Sequence, residues 1–249
     1  MQKTTTSLTP LALKDAPALI ETVFPAQKVS FEAQSERKAV QSQTLTGLGS
    51  YWKGRKPLIL VRAIVLAAEG PAFCAGADLN WMRRMADYTR AENLADAGAL
   101  AEMLRTIHSC LKPTIARVQG DVFAGGVGLV AACDMAVSVD TATYCLSEVK
   151  LGLIPATISP YVIRAMGARA AHRYFLTAER FGAAEALRIG FVHEVVSAEA
   201  LDAKVGELVS ALTSASPNAV RACKKLVMDV AEREINAGLI AATVQGDRK

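Results

Sequence analysis

The sequence predicts a mixed α/β fold whose carboxyl-terminal part is helical. Of its 249 residues, 51% are hydrophobic and 21% are charged, which is enough apolar material for a sizeable core. Strand-like and helix-like patterns alternate over residues 59–139, whereas helical patterns dominate beyond Pro155. This order of elements is typical of an α/β core followed by a helical region.

Apolar runs and their boundaries define the individual elements. Lys112-Pro113 ends a long helical pattern, because proline cannot continue a helix. Residues 1–60 are harder to interpret, and the polar stretch 30–43 shows neither the helical nor the strand period. The predicted strands are 59–68, 114–118, 135–139, 143–146 and a short element at 192–196. The predicted helices are 80–86, 91–111, 126–133, 160–166, 168–176, 183–189, 198–214 and 219–237.

Charge and cysteine usage exclude several classes of protein. The net charge of +4 suits a small anionic ligand but is too weak to predict a nucleic-acid partner. Five cysteines without C-x-x-C spacing argue against a disulfide framework or a zinc site, so we expect no bound metal. No apolar run approaches the ~18 residues of a membrane span, and no secretion signal follows Met1. We therefore expect a soluble cytoplasmic protein that does not bind membranes.

Two turns built from small residues are the most informative features. Residues 72–79 (AFCAGADL) follow an apolar run at 63–68, and residues 123–128 (FAGGVG) follow the predicted strand 114–118. Small side chains leave backbone N–H groups accessible where a strand ends. Such donors can hold a carbonyl oxygen that becomes negative during a reaction. The two turns therefore predict an enzyme that polarises a carbonyl group.

The obvious catalytic motifs of other enzyme classes are absent from the sequence. There is no G-x-S-x-G nucleophile elbow, no H-E-x-x-H and no phosphate-binding G-x-x-x-x-G-K-[ST]. Of the three histidines, His193 is interpreted as a capping or packing residue. Cys74 is interpreted as a buried filler and Asp78 as a helix cap, rather than as a nucleophile and an acid. Basic residues near the carboxyl end (Arg221, Lys224 and Lys225) are expected to be solvated.

Glu148 is the strongest candidate for proton transfer. It follows the apolar segment 144–146 and precedes Gly152 and Pro155. Partial burial would raise its pKa and suit it to acid–base work near neutral pH. The alternative, an exposed carboxylate that forms an ion pair with Lys150, stays open on sequence grounds. Trp81, with Met82 and Met85, would either wall an apolar acyl pocket or belong to the core.

Residues 72–78, 120–134 and 147–155 together resemble the crotonase (enoyl-CoA hydratase/isomerase) superfamily. The details at 79–82 and 145–160 are similar to the methylglutaconyl-CoA / γ-carboxygeranoyl-CoA hydratase-like subgroup, associated with leucine and acyclic terpene breakdown. The resemblance implies a crotonase-type spiral of ββα units, occupying residues 1–190. It further implies a helical trimerisation region at 191–249 and a homotrimer or homohexamer. The substrate would be an acyl-CoA thioester, with coenzyme A as part of the substrate and no covalently bound cofactor.

The resemblance also assigns roles to single residues. It implies that the backbone N–H groups of Ala77 and Gly125 hold the thioester oxygen as an enolate forms, and that Glu148 is one of two catalytic glutamates. The remaining positions would line the substrate site: Ala75, Asp78, Leu79, Trp81, Gly126, Gly128, Ser147, Ile154 and Pro155.

Three departures from the family pattern limit the functional prediction. The second glutamate of well-known family hydratases is replaced by Gly128. Residues 1–60 lack the usual Asn-Arg-Pro-type turn, so this segment is atypical, and the carboxyl end appears before an expected terminal helix. Hydration of a branched or carboxylated enoyl-CoA is the first prediction. Isomerisation, decarboxylation, or a non-catalytic CoA-binding or RNA-binding role are the alternatives.

Overall fold

The computed structural model describes residues 29–34, 61–76, 83 and 87–246, which form two sheets with helices packed against them. The larger sheet has the strand order β1-β2-β4-β6-β9 and the smaller one the order β3-β5-β7-β8. The strands are β1 Val29–Gln34, β2 Ala63–Ala68, β3 Ala72–Cys74, β4 Thr114–Val118, β5 Asp121–Phe123, β6 Met135–Val139, β7 Thr143–Cys145, β8 Phe181–Gly182 and β9 Glu194–Val196.

Helices follow the strand pairs and then dominate the carboxyl-terminal part. The α-helices are α1 Arg90–His108, α2 Gly125–Ala132, α3 Ser159–Thr177, α4 Ala183–Arg188, α5 Leu201–Ser214, α6 Pro217–Val230 and α7 Ala237–Gly246. Short 3₁₀ segments lie at Glu148–Leu151 and Ala198–Ala200. Helix α1 begins with a capping box in which Thr89 and Glu92 satisfy each other's backbone N–H groups.

The strands alternate between the sheets in a repeating pattern. Strands β2, β4 and β6 pair in parallel in the larger sheet, and each is followed directly by β3, β5 or β7 of the smaller sheet. The chain therefore advances by one strand in both sheets with every repeat. This is the α/β spiral of ββα units that the sequence resemblance implies.

The core lies between the two sheets and under α1 and α2. All six residues of β2 are buried, as expected for a parallel strand covered on both faces. The largest fully buried side chains come from both sheets and both helices, and include Leu66, Phe73, Met103, Leu104, Ile115, Leu129 and Tyr144.

The first strand differs from the sequence prediction. Residues 30–43 were expected to show no period, but β1 forms an antiparallel pair with the whole of β2, from Val29 opposite Ala68 to Gln34 opposite Ala63. Its sequence VSFEAQ does alternate, and the polar residues that follow conceal this alternation in a longer window. Within the predicted strand 59–68, residues 61–62 do not belong to β2, which begins at Ala63, and residues 59–60 lie outside the described residues.

The break between the two predicted helices 160–166 and 168–176 is confirmed, because Gly167 interrupts the helical backbone of α3 with φ 78° and ψ 154°. Another predicted helix needs correction. The single helix predicted at 219–237 was wrong: α6 ends at Val230, and Glu232 has φ 69° before α7 begins at Ala237. A residue with positive φ cannot continue a right-handed helix.

Lys224 anchors α6 to the core instead of being solvated as predicted. Its Nζ lies 2.7 Å from the Asp134 carboxylate and donates to the Lys112 carbonyl oxygen at 3.2 Å. Asp134 also accepts from the backbone N–H of Thr114 at 2.7 Å. The Lys224 side chain is only 10% exposed, so water cannot readily replace this partner.

We expect Lys224→Met to lower the free energy of unfolding by about 1–3 kcal/mol, because it leaves the half-buried Asp134 carboxylate without its cation. Lys225→Met is the matched control, since Lys225 is 67% exposed where it pairs with Asp229. That change should cost less than about 0.5 kcal/mol. Urea unfolding of the two variants measures the difference, and equal losses would contradict the anchoring role.

Candidate active site

The two small-residue turns lie side by side. A Cβ atom at Gly126 would lie 2.3 Å from the Cys74 Cβ and 2.6 Å from its Sγ, so the start of α2 packs directly on the end of β3. A Cβ atom at Gly76 would lie 3.9 Å from the Cβ of Ala124. Only small residues permit this approach, which confirms the packing role predicted for Cys74.

Ala124 has a strained backbone immediately before Gly125. Its φ is 48° and its ψ is −122°, a conformation that a residue with a Cβ rarely adopts. Its N–H donates to the Cys145 carbonyl oxygen at 2.8 Å, which holds the turn against β7. Strain of this kind concentrates at functional sites.

Gly125 is the first residue of α2, so its N–H group has no carbonyl partner one turn earlier in the helix. The amino terminus of a helix also carries a partial positive charge. Gly125 is half-buried, and an N–H group in this position is suited to stabilise an oxygen that gains negative charge.

Glu148 opens the 3₁₀ segment that follows β7. The segment ends at Gly152, whose left-handed φ of 72° turns the chain, and the Leu153 N–H donates to the Glu148 carbonyl oxygen at 3.1 Å. Its side chain is half-buried, and its Oε2 atom is buried without a hydrogen-bond partner among the described residues. A buried carboxylate oxygen that lacks a donor is held ready for a ligand or a proton.

Burial raises the pKa of the Glu148 carboxyl group, since the charged form loses its hydration. The alternative interpretation, an ion pair with Lys150, is wrong: within the described part of the chain no ion pair joins these two residues. The direction of the pKa shift is the one predicted from the apolar sequence around Glu148.

The loop after Glu148 presents apolar side chains to the surface. Leu151 is 62% exposed, Leu153 51% and Ile154 74%. Pro155 is buried and Ser147 is half-buried beside Glu148. Large exposed apolar side chains next to a buried carboxyl group are typical of the wall of a binding site for an apolar chain.

Ile158 leaves no room for a side chain at position 128, which is glycine. A Cβ atom at this position would lie 2.2 Å from the Ile158 Cγ2 and 2.6 Å from its Cβ. Ile158 precedes α3 and is 2% exposed, so it is fixed in the core. The space that a longer side chain at position 128 would need is already filled by this isoleucine.

Four predicted site residues lie outside the described residues: Ala77, Asp78, Leu79 and Trp81. Ala75, which precedes them, is exposed at the end of the first turn. Their roles stay predictions.

His193 serves the fold, as its sequence context predicted. Its Nδ1 accepts from the Ala136 N–H at 3.1 Å, and its own backbone N–H donates to the Ala136 carbonyl oxygen at 2.9 Å. Over the described ranges no cluster of His, Cys, Asp and Glu could hold a metal ion. Nor is any helix in those ranges long and apolar enough to cross a membrane.

Three features of the site could not be found from the sequence. Ala124 looks like any small residue, yet its backbone sets the direction of the Gly125 N–H. Ile158 and Arg180 reach the site through chain folding, and the guanidinium carbon of Arg180 lies 5.0 Å from the centroid of the Phe123 ring. Only the small residues around Ala124 give a sequence signal.

Comparison with known proteins identifies the family. The enoyl-CoA hydratase/isomerase family model matches residues 28–245, most of the chain, so the protein belongs to the enoyl-CoA hydratase/isomerase family. A structure from Legionella pneumophila described as an enoyl-CoA hydratase/isomerase (crotonase) has 46% sequence identity and a TM-score of 0.71. It covers 74% of this chain, and the match covers 71% of the Legionella chain.

Two further relatives agree with this assignment. An enoyl-CoA hydratase structure from Shewanella pealeana is 43% identical with a TM-score of 0.73, covering 79% of this chain and 72% of its own. Enoyl-CoA hydratase ACTT6 of Alternaria alternata is 39% identical over 171 residues, which are 67% of this chain and 54% of that protein. The chain thus spans about half the length of this curated relative.

Proposed function

We propose that the protein hydrates the C=C bond of an enoyl-CoA, with Glu148 as its single acid–base group. The observation that carries the proposal is the buried Oε2 atom of Glu148, which has no hydrogen-bond partner among the described residues. The Gly125 N–H at the start of α2 and the apolar loop after Glu148 support it. The family's activity on acyl-CoA thioesters gives the reaction class.

The chemistry needs one carboxyl group in two successive roles. As a carboxylate, Glu148 takes a proton from water while the water oxygen bonds to the β-carbon and the π electrons move to the thioester oxygen. The enolate oxygen accepts hydrogen bonds from the Gly125 N–H and, by the family resemblance, from the Ala77 N–H. Glu148 then delivers its proton to the α-carbon, which completes hydration and regenerates the carboxylate.

The contact between Gly128 and Ile158 supports a site with one carboxyl group. Family resemblance gives position 128 a second glutamate, but the Ile158 side chain fills the space beside this glycine. The same arrangement favours isomerisation as a second candidate, since one carboxyl group can also move a proton between two carbons of an enolate. The two reactions differ in one requirement: hydration needs a water molecule at the β-carbon, whereas isomerisation does not.

The substrate is proposed to be a branched or carboxylated acyl chain carried on coenzyme A. The exposed leucine and isoleucine side chains after Glu148 provide apolar contacts for such a chain. Assembly into a homotrimer or homohexamer is proposed as well. The exposed Leu226, Val227 and Met228 of α6 provide an apolar helix surface that a second subunit could cover.

The test is turnover of a panel of enoyl-CoAs that differ in branching and in acyl charge. Loss of the C=C absorbance at 1:1 stoichiometry with 3-hydroxyacyl-CoA formation supports hydration. A shifted double bond without uptake of water indicates isomerisation, and release of CO₂ from a carboxylated acyl-CoA indicates decarboxylation. No chemical change in any of these thioesters would overturn the proposal.

The pH dependence of kcat/KM should report the Glu148 pKa. Because the reaction starts from the carboxylate, the rate should fall as pH decreases through that pKa. Burial raises it, so the midpoint of the acidic limb should lie above the ordinary glutamate value of about 4.3. Crotonyl-CoA is the right substrate, since its acyl chain does not titrate. A limb at or below the ordinary value would contradict the assignment.

A further inference from the structure

Arg180 lies next to β8, the edge strand of the smaller sheet. The turn with Gly125 follows β5 of this sheet, and the segment with Glu148 follows β7. Strand β8 begins one residue after Arg180 and runs antiparallel to β7, with Phe181 opposite Tyr144. The Arg180 guanidinium carbon is 5.0 Å from the centroid of the Phe123 ring. Phe123 directly precedes Ala124, so the cation of Arg180 lies next to the turn that presents the Gly125 N–H.

Among the described residues Arg180 has no acidic partner, unlike Arg173 and Arg188 on either side of it in the sequence. Arg173 pairs with Glu179, and Arg188 pairs with Glu185. No carboxylate of the described residues lies within 4.0 Å of the exposed Arg180 guanidinium. An arginine stacked on an aromatic ring keeps its N–H donors free at the ring's edge, because the ring contacts only its face.

The charges of Arg180, Lys150 and Glu148 all act on the thiol of Cys145. Burial raises the pKa of the Cys145 thiol, and the positive charges of Lys150 and Arg180 oppose this effect while Glu148 adds to it. Cys145 is also the residue whose carbonyl oxygen holds the Ala124 N–H. The charges of Arg180 and of the proposed acid–base group Glu148 therefore act on the same residue, Cys145. Cys145 also holds the turn that presents the proposed oxyanion donor.

We infer that Arg180 binds an anionic oxygen group of the thioester, either a carboxylate on the acyl chain or a phosphate of coenzyme A. This inference rests on the proposed function only in taking the ligand to be a CoA thioester, and it does not depend on which reaction the thioester undergoes. The guanidinium fork suits both groups, because it can donate two parallel hydrogen bonds to two oxygens. Stacking on Phe123 limits its rotation, so less conformational freedom is lost on binding.

The test measures binding rather than turnover. Glutaryl-CoA and butyryl-CoA are saturated, so neither can be hydrated, and they differ in a terminal carboxylate. Calorimetric titration compares the wild type with Arg180→Gln and Arg180→Lys. The matched control is Arg169→Gln, which removes the same charge from an exposed position on α3.

If Arg180 binds the acyl carboxylate, Arg180→Gln should lower the affinity for glutaryl-CoA about tenfold or more and leave the affinity for butyryl-CoA unchanged. If Arg180 binds a CoA phosphate, the affinity for both thioesters should fall by the same factor. Arg180→Lys should retain part of the affinity in either case, since it keeps the charge but not the fork.

Equal affinities of wild type and Arg180→Gln for both thioesters would overturn the inference, and so would an equal loss in Arg169→Gln. Failure of the wild type to bind either thioester would overturn it too. Binding that depends on Arg180 without turnover of any enoyl-CoA would instead refute the proposed function and leave this inference standing.

Discussion

Replacing Glu148 by glutamine should lower kcat for enoyl-CoA hydration by at least about 10²–10⁴, the usual contribution of one positioned acid–base group. Glutamine keeps the size of the side chain but cannot accept or deliver the proton. Since Ile158 occupies the space beside Gly128, we expect no second carboxyl group to compensate. The measurement is the loss of C=C absorbance under saturating substrate, together with the binding of a saturated acyl-CoA.

The variant should bind the acyl-CoA with little change, because the Gly125 N–H and the apolar loop are untouched. It should also remain folded. The folded-state pKa of Glu148 is raised, so its contribution to stability is full below the unfolded-state pKa and is lost as pH rises through the folded-state pKa. Glutamine stays neutral at every pH, so Glu148→Gln should be at least as stable as the wild type at pH 7.

Unchanged turnover in Glu148→Gln would remove this residue from the mechanism. A fall in turnover with an equal loss of acyl-CoA affinity would instead show that Glu148 shapes the binding site. Glu207→Gln is a suitable control, since it makes the same substitution at an exposed position of α5. We expect Glu207→Gln to retain most of the activity.

The parts of the site that the sequence predicted are those defined by local chemistry. Small residues after a strand predicted a close approach of the chain, and the contact between Cys74 and Gly126 confirms it. Apolar neighbours predicted the raised pKa of Glu148. In both cases the side chains that determine the outcome lie within a few residues of one another or recur in a recognisable pattern.

The unpredicted parts depend on contacts between distant segments. Lys224 and Asp134 are 90 residues apart, and nothing near either residue indicates an ion pair. Arg180 reaches Phe123 only because β8 returns antiparallel beside β7. The strand Val29–Gln34 was missed for a different reason, since its alternation is short and is followed by a polar stretch.

Adding a single methyl group at Gly128 should destabilise the protein and disturb the site. In Gly128→Ala the new Cβ would lie 2.2 Å from the Ile158 Cγ2, far inside van der Waals contact. Overpacking of this kind typically costs about 1–3 kcal/mol. Because α2 carries the Gly125 N–H, a shift of α2 away from Ile158 should also lower kcat. Urea unfolding and turnover of the same preparation measure both effects.

A double-mutant cycle tests whether Ile158 is the cause. Ile158→Ala alone should cost about 2–5 kcal/mol, as expected for truncation of a buried isoleucine. The double variant Gly128→Ala/Ile158→Ala should be more stable than the sum of the two single losses predicts, because the new methyl group enters the space that Ile158 leaves. Additive losses would show that Ile158 does not limit the size of residue 128.

The same two positions, 128 and 158, can be used to test whether a carboxyl group at position 128 restores faster hydration. Gly128→Glu should fold poorly, since Ile158 leaves no room for the side chain, whereas Gly128→Glu/Ile158→Ala opens that space. If the site lacks only a second acid–base group, the double variant should hydrate enoyl-CoA faster than Ile158→Ala. A rate no higher than that of Ile158→Ala, in a folded double variant, would show that the missing carboxyl group at position 128 does not limit the rate of hydration.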